Sequence, residues 1–204
     1  MVVTNSGTID RQLITVNSGS DQDSQAKWLL ATLEKMFERG TKITEGARIQ
    51  LGWSVLTLAK LSENSLVVCE PDFAGNPFED TVNSVDISLR VLSRQQKLAQ
   101  SIGATQVPIS FQDKVVISKD ILACASLRLE RVSPKPEDGD SGWFIGAKNP
   151  NENSEELNAV YAFQLLQKRP ELVDVLTLPE GYMVFFDGPN LSCVLNEQDE
   201  MVFP

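Results

Sequence analysis

The sequence predicts an α+β fold, with mixed, mainly antiparallel sheets and about three amphipathic helices. Three observations predict it. Helical stripes and β-rich runs alternate without the regular strand–helix–strand rhythm of a doubly wound sheet. Turn-forming clusters cut the strand material into short pieces. The C-terminal end carries three short apolar runs separated by turns, the pattern of a meander. With 42 % apolar residues in 204, the chain can fill one large domain or two small ones. A change of texture near Lys114 divides it into an N-terminal α+β region, 1–112, and a C-terminal α+β domain, 113–204.

Taken in order, the first twenty residues read as one strand carried by Ile9, Leu13, Ile14 and Val16. A helix follows. Ser20 is placed to cap it with Asp23 three residues on. Leu29, Leu30, Leu33, Met36 and Phe37 make its stripe, with Trp28 at the edge and Gly40 as the stop. Ile49 to Leu61 reads as a strand and Leu66 to Cys69 as a short buried one. The loop Glu70 to Asp80, with its two prolines, is expected to end that strand. A second helix spans about Ser84 to Ile102, with Val85, Leu89, Leu92, Ala99 and Ile102 on its apolar face and Gly103 closing it. Gln106 to Gln112 is a connection. Val115 to Ile117 and Leu122 to Val132 are strand material, Ser133 to Gly142 is a turn-rich loop, and Trp143 to Ala147 is a short strand. A loop from Asn149 to Asn153 leads to a third helix capped by Asn153 or Ser154. Leu157, Val160, Tyr161, Gln164 and Leu165 line that helix, and Pro170 stops it. Glu171 to Leu176 forms a further helical turn. Tyr182 to Phe186, Leu191 to Leu195 and Met201 to Phe203 form the meander.

The residues present exclude several chemistries. The chain has no histidine, so Ser–His–Asp, Cys–His and histidine–zinc sites have no place in it. Neither GxxxxGK[ST] nor GxGxxG occurs, so no phosphate cradle is expected. Cys69, Cys124 and Cys193 are odd in number and far apart, which argues against a zinc cluster or disulfide framework; Cys124 and Cys193 lie in apolar runs and are expected to be buried. Asp138-Gly139-Asp140-Ser141-Gly142 resembles the start of a calcium loop, but Gly142, Trp143 and Asn149 stand where later ligands and the sharp-turn glycine belong. No metal and no cofactor are expected. No run of about 18 apolar residues suggests a membrane span, and the polar N-terminus lacks an apolar signal core, so the expected location is the cytoplasm.

The net charge is −10, which disfavours direct nucleic-acid binding. From Asn151 to Pro204 there are ten acidic and two basic residues, so most of the excess lies in the last quarter. Such a surface suits solubility and also speeds encounter with a basic partner. Two acidic clusters have aromatic neighbours: Glu70 and Asp72 beside Phe73, and Asp138 and Asp140 beside Trp143. Paired carboxylates suit glycoside hydrolysis when held about 5–9 Å apart. An aromatic ringed by acids suits a protein-binding anchor, or a ring folded back onto the core. The binding reading takes these six residues as candidate partner contacts and assigns no catalytic residue.

The string D-S-G-W-F-I-G (Asp140 to Gly146), the Tyr-Ala-Phe-x-Leu-Leu core (Tyr161 to Leu166), Pro170 with Leu172, and L-x-L-P-x-G-Y-M-V (Leu176 to Val184) together resemble a bacterial immunity-protein family, immunity protein thirty-three. The resemblance covers about Val115 to Asp187. E-P-D-F-x-x-N-P (Glu70 to Pro77) looks like the region found ahead of this domain in some relatives. The resemblance implies a non-enzymatic protein that binds a cognate secreted antibacterial toxin and blocks it, with no catalytic residues to carry over. The alternatives are a regulatory or adaptor module and, behind it, a carboxylate hydrolase.

Overall fold

In a computed structural model that describes residues 1–148 and 156–203, the N-terminal stretch forms two strands rather than one. β1 (Val2–Ile9) and β2 (Gln12–Gly19) pair antiparallel, with Ile9 opposite Gln12. The turn between them places Asp10 and Arg11 at φ 46° and 63°. Two consecutive left-handed residues match the right-handed twist of a hairpin, a task usually given to Asn-Gly. Without that dipeptide, the turn had no sequence signal. After a short 3-10 turn at Ser20–Gln22, helix α1 (Asp23–Glu38) begins. Ser20 is therefore in the turn and does not cap the helix. Ala26, Leu29 and Leu33 are buried, and Trp28 stays 47 % exposed. Gly40, at φ 92°, ends the helix as expected: its N–H bonds the Phe37 carbonyl and the Thr41 N–H bonds that of Met36. That pair of bonds is a Schellman closure.

The expected Ile49 to Leu61 strand is also a hairpin, β3 (Arg48–Leu51) with β4 (Ser54–Ser62), turning at Gly52 with φ 55°. β5 (Ser65–Pro71) is buried at every position, as its apolar run suggests, but it continues through Glu70 into the stretch expected to be loop. A two-residue strand, β6 (Thr81–Val82), pairs with its end. The sheet order is β1-β2-β5-β4-β3, with β6 beside β5. β2 and β5 run parallel and the other pairs antiparallel. Its core gathers Ile14 and Val16 from β2, Leu56 and Leu58 from β4, Val68 from β5, and Leu29 and Leu33 from α1.

Helix α2 (Asp86–Ser101) follows, ended by Gly103 at φ 67°. The chain divides within it into two units, Met1–Ser93 and Arg94–Pro204, whereas the sequence placed a boundary after residue 112. The second unit contains β7 (Lys114–Ser118), β8 (Ser126–Arg131), β9 (Asp140–Ala147) and β10 (Leu157–Tyr161). Helix α3 (Ala162–Lys168) and a 3-10 stretch at Pro170–Val175 lead into β11 (Met183–Asp187), β12 (Asn190–Leu195) and β13 (Met201–Phe203). The order is β10-β7-β9-β8-β11-β12-β13, with only β7 and β9 parallel among these pairs. The C-terminal meander is as expected. The third helix is shorter than expected, because Leu157 to Tyr161 is strand paired with β7. Gln164, read as part of an apolar face, instead accepts the Tyr161 N–H through Oε1 at 2.8 Å and closes the helix start. The proposed caps Asn153 and Ser154, and the loop from Asn149, lie outside the described residues. The fold is α+β with mixed, mainly antiparallel sheets and three α-helices among the described residues, as the sequence predicts.

Candidate functional site

The six expected contact residues fall in two clusters, one in each unit, and half of them are interior. β5 carries Glu70 into the core of the first unit, where it is 1 % exposed. Its carboxylate accepts the Ile87 N–H at 3.2 Å and the Ser88 N–H at 2.7 Å. These belong to the first turn of α2, whose N–H groups have no helical partner. Glu70 is thus a long-range cap. Burial pushes its pKa up, and the bonds from Ser88 and Ile87 only partly oppose this. Ser88 Oγ continues the buried network to Ser54 Oγ at 2.9 Å. Asp72 is part-exposed and folds onto its own loop, accepting the Ala74 and Gly75 N–H groups through Oδ1, each at 3.1 Å. Phe73 is buried, its ring stacked on Trp53 with centroids 4.9 Å apart. Phe73 is therefore a core ring, not an exposed anchor.

The second cluster turns at Gly139, φ 68°, after a 3-10 turn at Pro136–Asp138. Asp138 is exposed and Asp140 part-exposed. Asp140 Oδ1 accepts the Gly142 N–H at 2.9 Å, and Ser141 Oγ donates to the Lys114 carbonyl at 2.6 Å. Here β9 bulges against β7: Lys114 lies opposite Asp140, but Val116 lies opposite Phe144. Gly142, at φ 77°, absorbs the bend. Trp143 is fully buried, and its Nε1 donates to the Leu176 carbonyl at 2.8 Å. It too is corrected from anchor to core. Among the described residues no three Cys, Asp or Glu side chains gather as metal ligands.

Sequence reasoning missed the residue at the centre of this unit. Arg131 is 2 % exposed and lies 5.9 Å over the Trp143 ring. Its guanidinium donates to the carbonyls of Ser141 (3.2 Å), Leu176 (3.3 Å) and Leu178 (2.6 Å). Burial lowers its pKa, opposed by Asp113 and Glu180. Arg131 and Trp143 thereby tie D-S-G-W-F-I-G to L-x-L-P-x-G-Y-M-V. An arginine at an alternating strand position normally reads as exposed, so nothing local marked it. A cavity of about 310 Å³ in the same unit is lined by Arg94, Leu98, Glu171, Asp174 and Phe186 among others. Asp174 Oδ1 is buried there without a hydrogen bond, and burial raises its pKa to about 6 despite Arg94. Cys124 is exposed and Cys193 part-exposed, against the expectation that both are buried: Cys124 falls in the connection between a 3-10 turn at Ile121–Ala123 and β8, and in β12 it is the neighbouring Val194 that points inward.

Residues 94–197, just over half of the chain, match the Imm33-like domain. The chain belongs to the Imm33-like family. The match contains both motifs joined by Arg131 and extends beyond the Val115 to Asp187 resemblance at both ends. The first cluster, Glu70 to Phe73, lies outside the Imm33-like domain, and the second lies within it. No curated protein matches the chain. No solved structure matches it.

Proposed function

We propose that this chain is an immunity protein: it binds a cognate secreted antibacterial toxin in the cytoplasm and neutralises it by occlusion, without catalysis. The membership of residues 94–197 in an immunity-protein family carries this reading. The absence of histidine and the acid-rich C-terminal quarter are consistent with it. Acidic side chains would steer a basic toxin, such as a nuclease, into the complex. Of the six expected contacts, Asp72, Asp138 and Asp140 keep solvent exposure and remain candidates. Among the described residues no helix is long and apolar enough to cross a membrane.

The test is co-expression with the toxin-like product of the adjacent gene. Restored growth, together with a complex that survives purification, is the expected outcome. Unchanged killing with no complex at micromolar concentration would reject the proposal and favour a regulatory or adaptor module.

A further inference from the structure

The seven-stranded sheet has two unlike faces. Leu127, Leu129, Trp143, Ile145, Val184, Phe186 and Val194 are all buried and form its core side. Among the alternating positions Phe144, Met183, Phe185, Cys193 and Leu195 are part-exposed and apolar, Gly146 is buried, and Ser126, Arg128, Glu130 and Asp187 are polar. Register places Phe144, Glu130, Met183, Leu195 and Met201 in one row across β9, β8, β11, β12 and β13. Arg128, Phe185 and Cys193 form the next row. Met201 is 64 % exposed, and Phe144, Met183, Phe185, Cys193 and Leu195 are part-exposed. An antiparallel sheet that faces water usually alternates apolar inward with polar outward. Here the alternation fails in the patch of Phe144, Met183, Phe185, Leu195 and Met201, and contiguous exposed apolar surface of this kind marks interaction sites.

The charges around the face select its occupant. Those on it are paired: Arg128 with Glu130 at 3.8 Å, and Lys148 with Asp187 at 3.4 Å. The turn between β12 and β13 is not balanced. Glu197, Asp199 and Glu200 are exposed there, and no Lys or Arg occurs from Leu191 to the end of the sequence. Asn196 fixes the turn, accepting the Gln198 and Glu200 N–H groups through Oδ1 at 3.0 and 2.9 Å. An apolar platform whose β12–β13 edge is fixed, acidic and free of cations complements an apolar segment flanked by cations.

We propose that the open face formed by Phe144, Met183, Phe185, Leu195 and Met201 is a docking surface for a cationic protein segment whose apolar side chains lie on the sheet and whose Lys or Arg residues meet Glu197, Asp199 and Glu200. The assignment rests on the binding role above and specifies its surface. The primary experiment titrates the isotope-labelled full chain with a synthetic peptide alternating Lys and Leu, read by amide NMR shifts. Shifts concentrated in β9, β11, β12 and β13 are expected, with binding weakened by salt. Met183→Lys with Leu195→Lys should weaken it by about tenfold. Glu197→Gln with Glu200→Gln, both on the exposed turn, should weaken it several-fold and serves if the first variant fails to fold. No binding, shifts elsewhere, or equal binding of a Glu–Leu peptide would overturn the assignment. Self-association of the chain through this face would overturn it in favour of a second copy. A second arm uses the adjacent-gene toxin. Full toxin binding by folded variants of both pairs would overturn the face while leaving the immunity role standing. Failure of the wild type to bind the toxin, with the peptide result intact, would sink the immunity role and leave the face supported.

Discussion

Replacing Gly142 with alanine should be far more damaging than the same change at Gly139, three residues earlier in the turn that leads into β9. Both glycines have positive φ, 77° and 68°. The left-handed conformation alone costs a non-glycine residue about 1–2 kcal/mol. At Gly139 nothing lies within 4 Å of the added Cβ, so that is the whole expected cost. At Gly142 the Cβ would sit 2.2 Å from the Val132 carbonyl oxygen and 3.1 Å from the Pro134 nitrogen. Both are backbone atoms, so no rotamer change relieves the contact. The bulge must shift, straining the Val132 N–H bond to the Gly142 carbonyl (2.9 Å) and the Gly142 N–H bond to Asp140. Loss of those two bonds adds about 1–3 kcal/mol. Gly142→Ala should therefore cost about 2–5 kcal/mol in total. Urea unfolding of both variants, followed by circular dichroism, measures the difference. Equal costs, or a larger one at Gly139, would refute the claim that D-S-G-W-F-I-G encodes this bulge.

Three further outcomes are expected. Glu70→Ala leaves the part-buried Ile87 and the buried Ser88 N–H groups without acceptors and should destabilise the protein by about 2–4 kcal/mol, against about 1 kcal/mol or less for Asp72→Ala, both read from denaturant midpoints. Burial raises the Asp174 pKa to about 6, above its unfolded value near 4, so folding favours the protonated form. That contribution is full below about pH 4 and is lost as the pH rises through about 6. Asp174→Asn should thus change little at pH 4 and stabilise at pH 8 by up to about 3 kcal/mol; destabilisation at pH 8 would contradict the assignment. Finally, Ellman's reagent should modify Cys124 rapidly in the native protein and Cys69 only on unfolding, since Cys69 is buried and burial raises its thiol pKa.

What the sequence made legible was periodicity over a long enough window. The stripe from Leu29 to Phe37, the α2 stripe from Val85 to Ile102 and the three runs of the meander each repeat one pattern, and each forms the expected element. Two tight hairpin turns were not legible: Asp10–Arg11, which has neither glycine nor proline, and Gly52–Trp53, whose single glycine lies within an apolar run. Asp10 and Arg11 adopt left-handed conformations because the pairing of β1 with β2 stabilises them, which is a tertiary effect. Leu157, Val160 and Tyr161 fit a helical spacing, but pairing with β7 selects the extended form. The expected contacts failed for a related reason. Charge suggests exposure, so Glu70 read as surface; its burial depends on the distant first turn of α2. Phe73 and Trp143 lie in acid-rich strings, and their stacking partner and carbonyl acceptor are also distant in sequence. The open sheet face was hidden because one face cannot be told from the other until strand order is known.

If this Imm33-like protein acts by forming a complex, calorimetric titration of the purified chain with the adjacent-gene toxin will detect it. A saturable complex of defined stoichiometry is expected, weakening as salt rises and abolishing the toxin's activity in the same tube. Heat no greater than dilution at micromolar protein, with the toxin fully active, would contradict it.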